Sequence, residues 1–225
     1  MTVIAPKRED IEQPRLKKNS GSLRLWHWLN ALVITGSLLT VLLNSTLFDT
    51  RTNASFITQN LQQNGVQLTA QQANSIAHAQ RDQIWEVHTY FGYVLAALLL
   101  LRLLLEIFQL ADQKFIRKIK TAYRKYFITK QERKLALHEL TVKTLYAIFY
   151  ILILIMAVTG LYLAFEDHVF FLKKIHTIKE VHGFTMYLII AFIVLHIAGV
   201  IWAERKDGAG IVSDMINGGA SSKTN

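Results

Sequence analysis

The apolar residues of this chain fall into four long runs separated by polar stretches, not into the alternating or one-sided patterns of a water-soluble fold. The runs cover residues 25–47, 84–110, 142–165 and 181–203. Each is long enough for a helix that crosses a bilayer, which needs about 20 mostly apolar residues. The pattern therefore predicts an all-α membrane protein, a four-transmembrane-helix bundle. Residues 1–23 form a polar tail, 24–204 the membrane domain and 205–225 a second polar tail. No internal repeat is found.

The longest connection, residues 48–83, is rich in Asn, Gln and Thr. Its second half reads as a helix opened by a capping box at Thr69 and Gln72 and running on into the second span. Ala70, Ala73, Ala77 and Ile84 form one packing stripe along it. A loop of this length docks a partner or forms a lid over the bundle.

Composition sharpens the picture. Charged residues make up 18% of the chain, below the roughly 25% of a soluble domain. The net charge of +9 would ordinarily raise nucleic-acid binding, but its distribution explains it otherwise. Lys7, Arg8, Arg15, Lys17, Lys18 and Arg24 precede the first span, and Lys114, Arg117, Lys118, Lys120, Arg124, Lys125, Lys130, Arg133 and Lys134 lie between the second and third. Loop 48–83 has only Arg51 and Arg81, and in the last loop Lys173, Lys174 and Lys179 are offset by Glu166, Asp167 and Glu180. Both termini and the middle loop are thus expected on the cytoplasmic side of a bacterial inner membrane, with no nucleic-acid partner. No removable signal peptide is expected at the start. The chain has no cysteine, so iron–sulfur clusters, disulfides and thioether-linked haem are excluded.

Four of the eight histidines lie within spans: His27, His88, His182 and His196. An ionisable group at membrane depth points to function. His27 sits near the cytoplasmic end of the first span, and His88 and His182 near the outer ends of the second and fourth. His196 follows His182 by 14 residues, which places it about 21 Å deeper and within about 40° of the same helix face. Two depth-matched pairs result, His27 with His196 and His88 with His182. Facing imidazoles in a bundle core can hold an iron porphyrin from both sides. The pattern therefore predicts two non-covalent b haems with bis-histidine ligation, stacked across the membrane. Arg102, 14 residues after His88, is expected near the inner haem, with a propionate or Glu106 as its counter-ion. Arg24, one turn before His27, could reach the same propionates or act as an interfacial anchor.

Gly92, Gly183 and Gly199 lie beside the histidines, and Gly36 and Gly160 lie in the other spans. They either let a flat macrocycle approach or serve ordinary small-residue helix packing. His78, His138, His168 and His176 fall in loops or at interfaces, and an aromatic belt accounts for Trp26, Trp28, Trp85 and Trp202.

The residues R-L-W-H-W-L at 24–29, the early histidine of the second span, L-Y and a closing T-G in the third, and H-x13-H in the fourth resemble the prokaryotic cytochrome b-561 superfamily. The tail, with S-x-M-I-x-G at 213–218, is similar to that of the b-type cytochrome subunits of membrane-bound nickel–iron hydrogenases. The resemblance covers about residues 24–218 and implies the same ligand pairs. It also implies electron exchange with membrane quinone and a redox partner protein, a hydrogenase or dehydrogenase subunit. The long loop 48–83 departs from the short-loop pattern of the family.

The leading expectation is a dihaem cytochrome that relays electrons, as a subunit of a quinone-linked oxidoreductase rather than as a stand-alone enzyme. Contact with membrane lipid follows from the spans, and nothing in the sequence excludes a homo-oligomer. The alternative is a histidine-lined proton or solute transporter, for which a repeat would be expected.

Overall fold

The structure is a computed structural model that describes residues 20–108, 120–121, 123–129, 133–166, 175–206 and 210–218. The basic residues at 7–18, 114–118 and 130 lie outside them, as do Asp167, His168, Lys173, Lys174, the end of the second predicted span and the side chain of His138.

All regular elements among the described residues are helical: α1 (Gly21–Ser45), α2 (Thr50–Gln63), α3 (Ala70–Phe108), a π-helical turn (Lys125–Thr129), α4 (Arg133–Phe165), α5 (His176–Lys206) and α6 (Ile211–Asn217). The segments Gly21–Ser45, Ala70–Phe108, Leu140–Phe165 and His176–Arg205 are long and apolar enough to cross a membrane. Each contains one of the four apolar runs read from the sequence, the first apart from residues 46–47 and the second apart from its last two residues. The second helix starts 14 residues before the run at 84 because the loop helix continues into it.

The chain divides into two compact units, Leu29–Val194 and the pair of segments Met1–Trp28 and Leu195–Asn225. In the first unit, Val33 and Ile34 of α1, Leu95 and Leu99 of α3, Leu152, Ile153 and Ala157 of α4, and Ile189 of α5 form one buried core. Phe149 and Phe192 stack beside it with ring centres 4.8 Å apart. The core is thin, and large apolar side chains such as Leu32 (68% exposed) and Val158 (59%) point outward. That arrangement would be unstable in water and is ordinary in lipid, where α-helices satisfy their own backbone groups.

Glycine sets one helix approach. A Cβ on Gly36 would lie 2.5 Å from Cζ of Phe91, so the ring of α3 rests directly on the backbone of α1.

Loop 48–83 is not irregular. The Asp49 carboxylate accepts from the backbone N–H of Thr52 at 3.1 Å and caps α2. Gly65, at φ +80°, turns the chain into the expected capping box. There Thr69 N donates to Gln72 Oε1 at 2.9 Å and Gln72 N donates to Thr69 Oγ1 at 3.2 Å. The helix that follows is unbroken for 39 residues, about 58 Å, and so is longer than the roughly 30 Å hydrocarbon core. Its extra turns pair with α2. Ala73 and Ala77, almost fully buried, pack on Ala54 and Ile57, and Asn53 Nδ2 donates to Gln80 Oε1 at 2.7 Å.

Candidate functional site

Within the Leu29–Val194 unit, His88 of α3 and His182 of α5 face each other with ring centres 6.3 Å apart and planes 79° apart. Each ring is held by a threonine of a neighbouring helix. His88 Nδ1 lies 2.9 Å from Thr40 Oγ1 and 3.3 Å from both the hydroxyl and the carbonyl oxygen of Ser37. A carbonyl only accepts, and the Thr40 hydroxyl already donates to the Ser37 carbonyl at 2.6 Å. Nδ1 therefore carries the proton, and Nε2 is left with its lone pair.

His182 repeats the device on the other side. Thr159 Oγ1 donates to the Ile155 carbonyl at 2.7 Å and accepts from His182 Nδ1 at 2.9 Å. Gly160, the next residue, gives the imidazole its seat: a Cβ there would lie 3.1 Å from His182 Cε1. The T-G pair of the third span thus has two physical jobs, one orienting a ring and one making room for it.

His27 of α1 and His196 of α5 form the second pair, within the other compact unit. Their ring centres are 6.2 Å apart and their planes 54° apart. Trp28 meets His27 edge-on at 5.2 Å. Nδ1 of His27 is buried and makes no hydrogen bond among the described residues, unlike its counterparts on His88 and His182.

Both separations suit one metal atom ligated from two sides. A metal–imidazole bond is about 2.0–2.1 Å and a ring nitrogen lies about 1.1 Å from its ring centre, which gives centroids about 6.2–6.4 Å apart. Among the described residues no group of three or more His, Cys, Asp or Glu side chains could hold a bare metal ion. Two imidazoles with no further protein donor fit a metal that arrives with its own equatorial nitrogens, as iron does in a porphyrin. The glycines agree. A Cβ on Gly92, Gly183 or Gly199 would meet no atom of a described residue within 4 Å, so close packing among the described helices does not account for them.

The two arginines singled out from the sequence have protein partners. Arg102 Nε donates to Tyr150 Oη at 3.2 Å, and its Nη2 lies 3.9 Å from Glu106 Oε2, the partner expected at i+4. Arg24 Nη1 donates to the carbonyl of Ile216 at 2.9 Å at the end of α6. Trp28 Nε1 donates to Met215 O at 3.1 Å, and Gly218, buried at φ +86°, lets the guanidinium lie against the backbone. At the other end of α6, the Glu204 carboxylate accepts from Gly210 N at 2.7 Å and Val212 N at 3.2 Å. The S-x-M-I-x-G tail is thus clamped at both ends by α1 and α5.

His78 is exposed, and His176 pairs with Glu180 at 3.2 Å, so neither joins a ligand pair. Thr40, Ser37 and Thr159 are absent from the sequence-based site. Their signal is weak but present: hydroxyls on otherwise apolar runs, facing the histidine-bearing helices.

An all-α chain with four membrane-length helices and imidazoles paired across its core falls in the class of membrane b-type cytochromes that carry electrons. The chain belongs to the prokaryotic cytochrome b561 family, whose family model matches residues 19–218. No curated protein and no solved structure matches it.

Proposed function

We propose that the chain holds two b haems, one between His88 and His182 and one between His27 and His196. Through them it would pass electrons across the membrane between a redox partner protein and membrane quinone. The observation that carries this reading is the pair of imidazole ring-centre separations, 6.3 Å and 6.2 Å, each the span of two metal–nitrogen bonds plus two ring radii. Family membership supports b-type haem and electron transfer.

The haem supplies one-electron chemistry when bound. The protein's part is ligation, orientation and exclusion of water. His88 with His182, and His27 with His196, would hold each haem through two imidazoles, and a haem so held would serve electron relay rather than oxygen activation. Two ligand histidines on one unbroken helix, α5, fix the order of the two centres along the chain. Arg24 Nε is buried without a partner among the described residues, and a propionate of the His27–His196 haem is the acceptor we assign to it. The charge of Arg102 is met by Glu106.

The distribution of basic residues supports both termini and the middle loop lying on the cytoplasmic side of a bacterial inner membrane, with the His88–His182 pair towards the outer face. The likeness of the 213–218 tail to hydrogenase-type cytochromes makes a hydrogenase or dehydrogenase subunit the partner of choice.

The test is transfer itself. Vesicles that contain the purified protein and enclose ferricyanide are treated with external dithionite. Rapid loss of ferricyanide absorbance is expected with the wild type, and background loss with His88→Ala or His196→Ala. Equal rates in all three would overturn the relay.

A further inference from the structure

Two side chains on the helices that carry Thr40 and His88 hold buried polar atoms with no hydrogen-bond partner among the described residues, and both sit towards the α2 end of their helices. Arg81 Nη1 touches Thr50 Oγ1 at 3.4 Å, while its Nε is buried without a hydrogen bond. No carboxylate of a described residue pairs with this guanidinium. Asn44 is 7% exposed, and neither its Oδ1 nor its Nδ2 has a partner. A partly buried guanidinium with no carboxylate partner and a buried amide with no hydrogen bond are each costly, and native structures keep such groups for a ligand.

Their positions share a direction. Arg81 lies seven residues before His88 on α3, two turns less about 20°, hence on the same stripe and about 10 Å nearer α2. Asn44 lies four residues after Thr40 on α1, one turn and about 6 Å nearer α2. Thr40 and His88 are in contact at 2.9 Å, so both orphaned groups rise from the two stripes that meet at the ligand histidine. A guanidinium fork and an amide N–H suit anionic oxygens, and the carboxylates of a porphyrin edge turned towards the aqueous face would arrive there.

We infer that Arg81 and Asn44 form the anion site for the propionates of the haem at His88 and His182, an inference that rests on the haem reading above. A lipid phosphate offers the same chemistry, and the experiment separates the two sources. The full-length protein, as wild type, Arg81→Gln and Asn44→Leu, is titrated potentiometrically, and its haem is exchanged for haem or haem dimethyl ester in detergent free of anionic lipid. Arg81→Gln is expected to lower the midpoint potential of this haem alone and to weaken its retention roughly tenfold to a hundredfold. Asn44→Leu is expected to act in the same direction and less strongly. The wild type should hold the ester more weakly by a similar factor, and Arg81→Gln should no longer distinguish ester from acid.

Retention and potential unchanged in both variants would overturn the proposal. So would a change of equal size with the ester, or one that needs anionic lipid, which would make a phosphate the anion. Wild-type protein without haem at His88 and His182 would remove the haem reading and this site with it. That outcome is distinct from haem-loaded variants that behave as wild type, and the ester comparison on wild-type protein needs no variant to fold.

Discussion

Thr159 Oγ1 stands 2.9 Å from His182 Nδ1 while donating its own proton to the Ile155 carbonyl, so the imidazole can only be the donor in that contact. One hydroxyl thereby fixes the tautomer, leaves Nε2 with its lone pair and raises the basicity of the ring as a ligand. Thr159→Val keeps the shape and removes the acceptor. Haem retention at this pair is expected to fall about tenfold to a hundredfold, with a rise in its potential, and Thr159→Ser should restore both. Equal retention in the Val variant would show that the contact has no part in ligation.

Thr40→Val is expected to do less. His88 Nδ1 keeps the Ser37 hydroxyl and carbonyl, each at 3.3 Å, when the threonine oxygen is lost. The ranking Thr159→Val more severe than Thr40→Val is read by comparing haem loss to an excess of apomyoglobin. The reverse order would contradict the role given to Ser37.

Gly36 and Gly160 separate packing from site. Gly36→Ala drives a methyl into Phe91 and should lower stability by about 1–3 kcal/mol, measured by thermal unfolding. Gly160→Ala meets only the edge of His182 at 3.1 Å. It should leave the melting temperature of haem-free protein nearly unchanged while broadening the spectrum of one haem. Identical behaviour of the two variants would deny that Gly160 serves the imidazole.

Asp49 gives the α2 hairpin a pH dependence. Its carboxyl is held below the usual carboxylate range first by the backbone N–H of Thr52, then by the Thr52 hydroxyl. A depressed folded value means that the cap's contribution is full above the unfolded value near about 3.9 and is lost as pH falls through the folded one. Amide exchange over 50–56 should therefore accelerate on acidification below about pH 4 in the wild type. Asp49→Asn, an equally good cap without the charge, should show no such step.

Much of this was legible in the sequence, and the exceptions have reasons. Four apolar runs and the spacing of His182 and His196 follow from helix periodicity and bilayer thickness, which no tertiary contact overrides. The capping box at Thr69 and Gln72 is local chemistry and is found as expected. Helix α2 was hidden because its apolar face is a single narrow stripe, Ala54, Ile57 and Leu61, set among Asn, Gln and Thr. Thr40 and Thr159 were hidden because a span hydroxyl commonly satisfies itself on its own helix; both do so, and only the fold reveals the second bond. Arg24 read as an anchor or propionate ligand from its place before His27. Its contact with Ile216 joins residues 192 apart and could not be seen along the chain.

Arg24→Gln gives that contact a measurable consequence. Loss of the guanidinium is expected to expose the segment 210–218 to limited proteolysis at the tail while both haems stay bound. The potential of the His27–His196 haem should fall. Unaltered cleavage would mean that the clamp on α6 contributes nothing.

Haem counted per chain, by pyridine haemochrome on purified protein alongside a reduced-minus-oxidised spectrum, tests the pairing of imidazoles most directly. Two b haems per chain are expected in the wild type and one each in His182→Ala and His27→Ala. A wild-type protein carrying no haem, or variants that keep both, would contradict it.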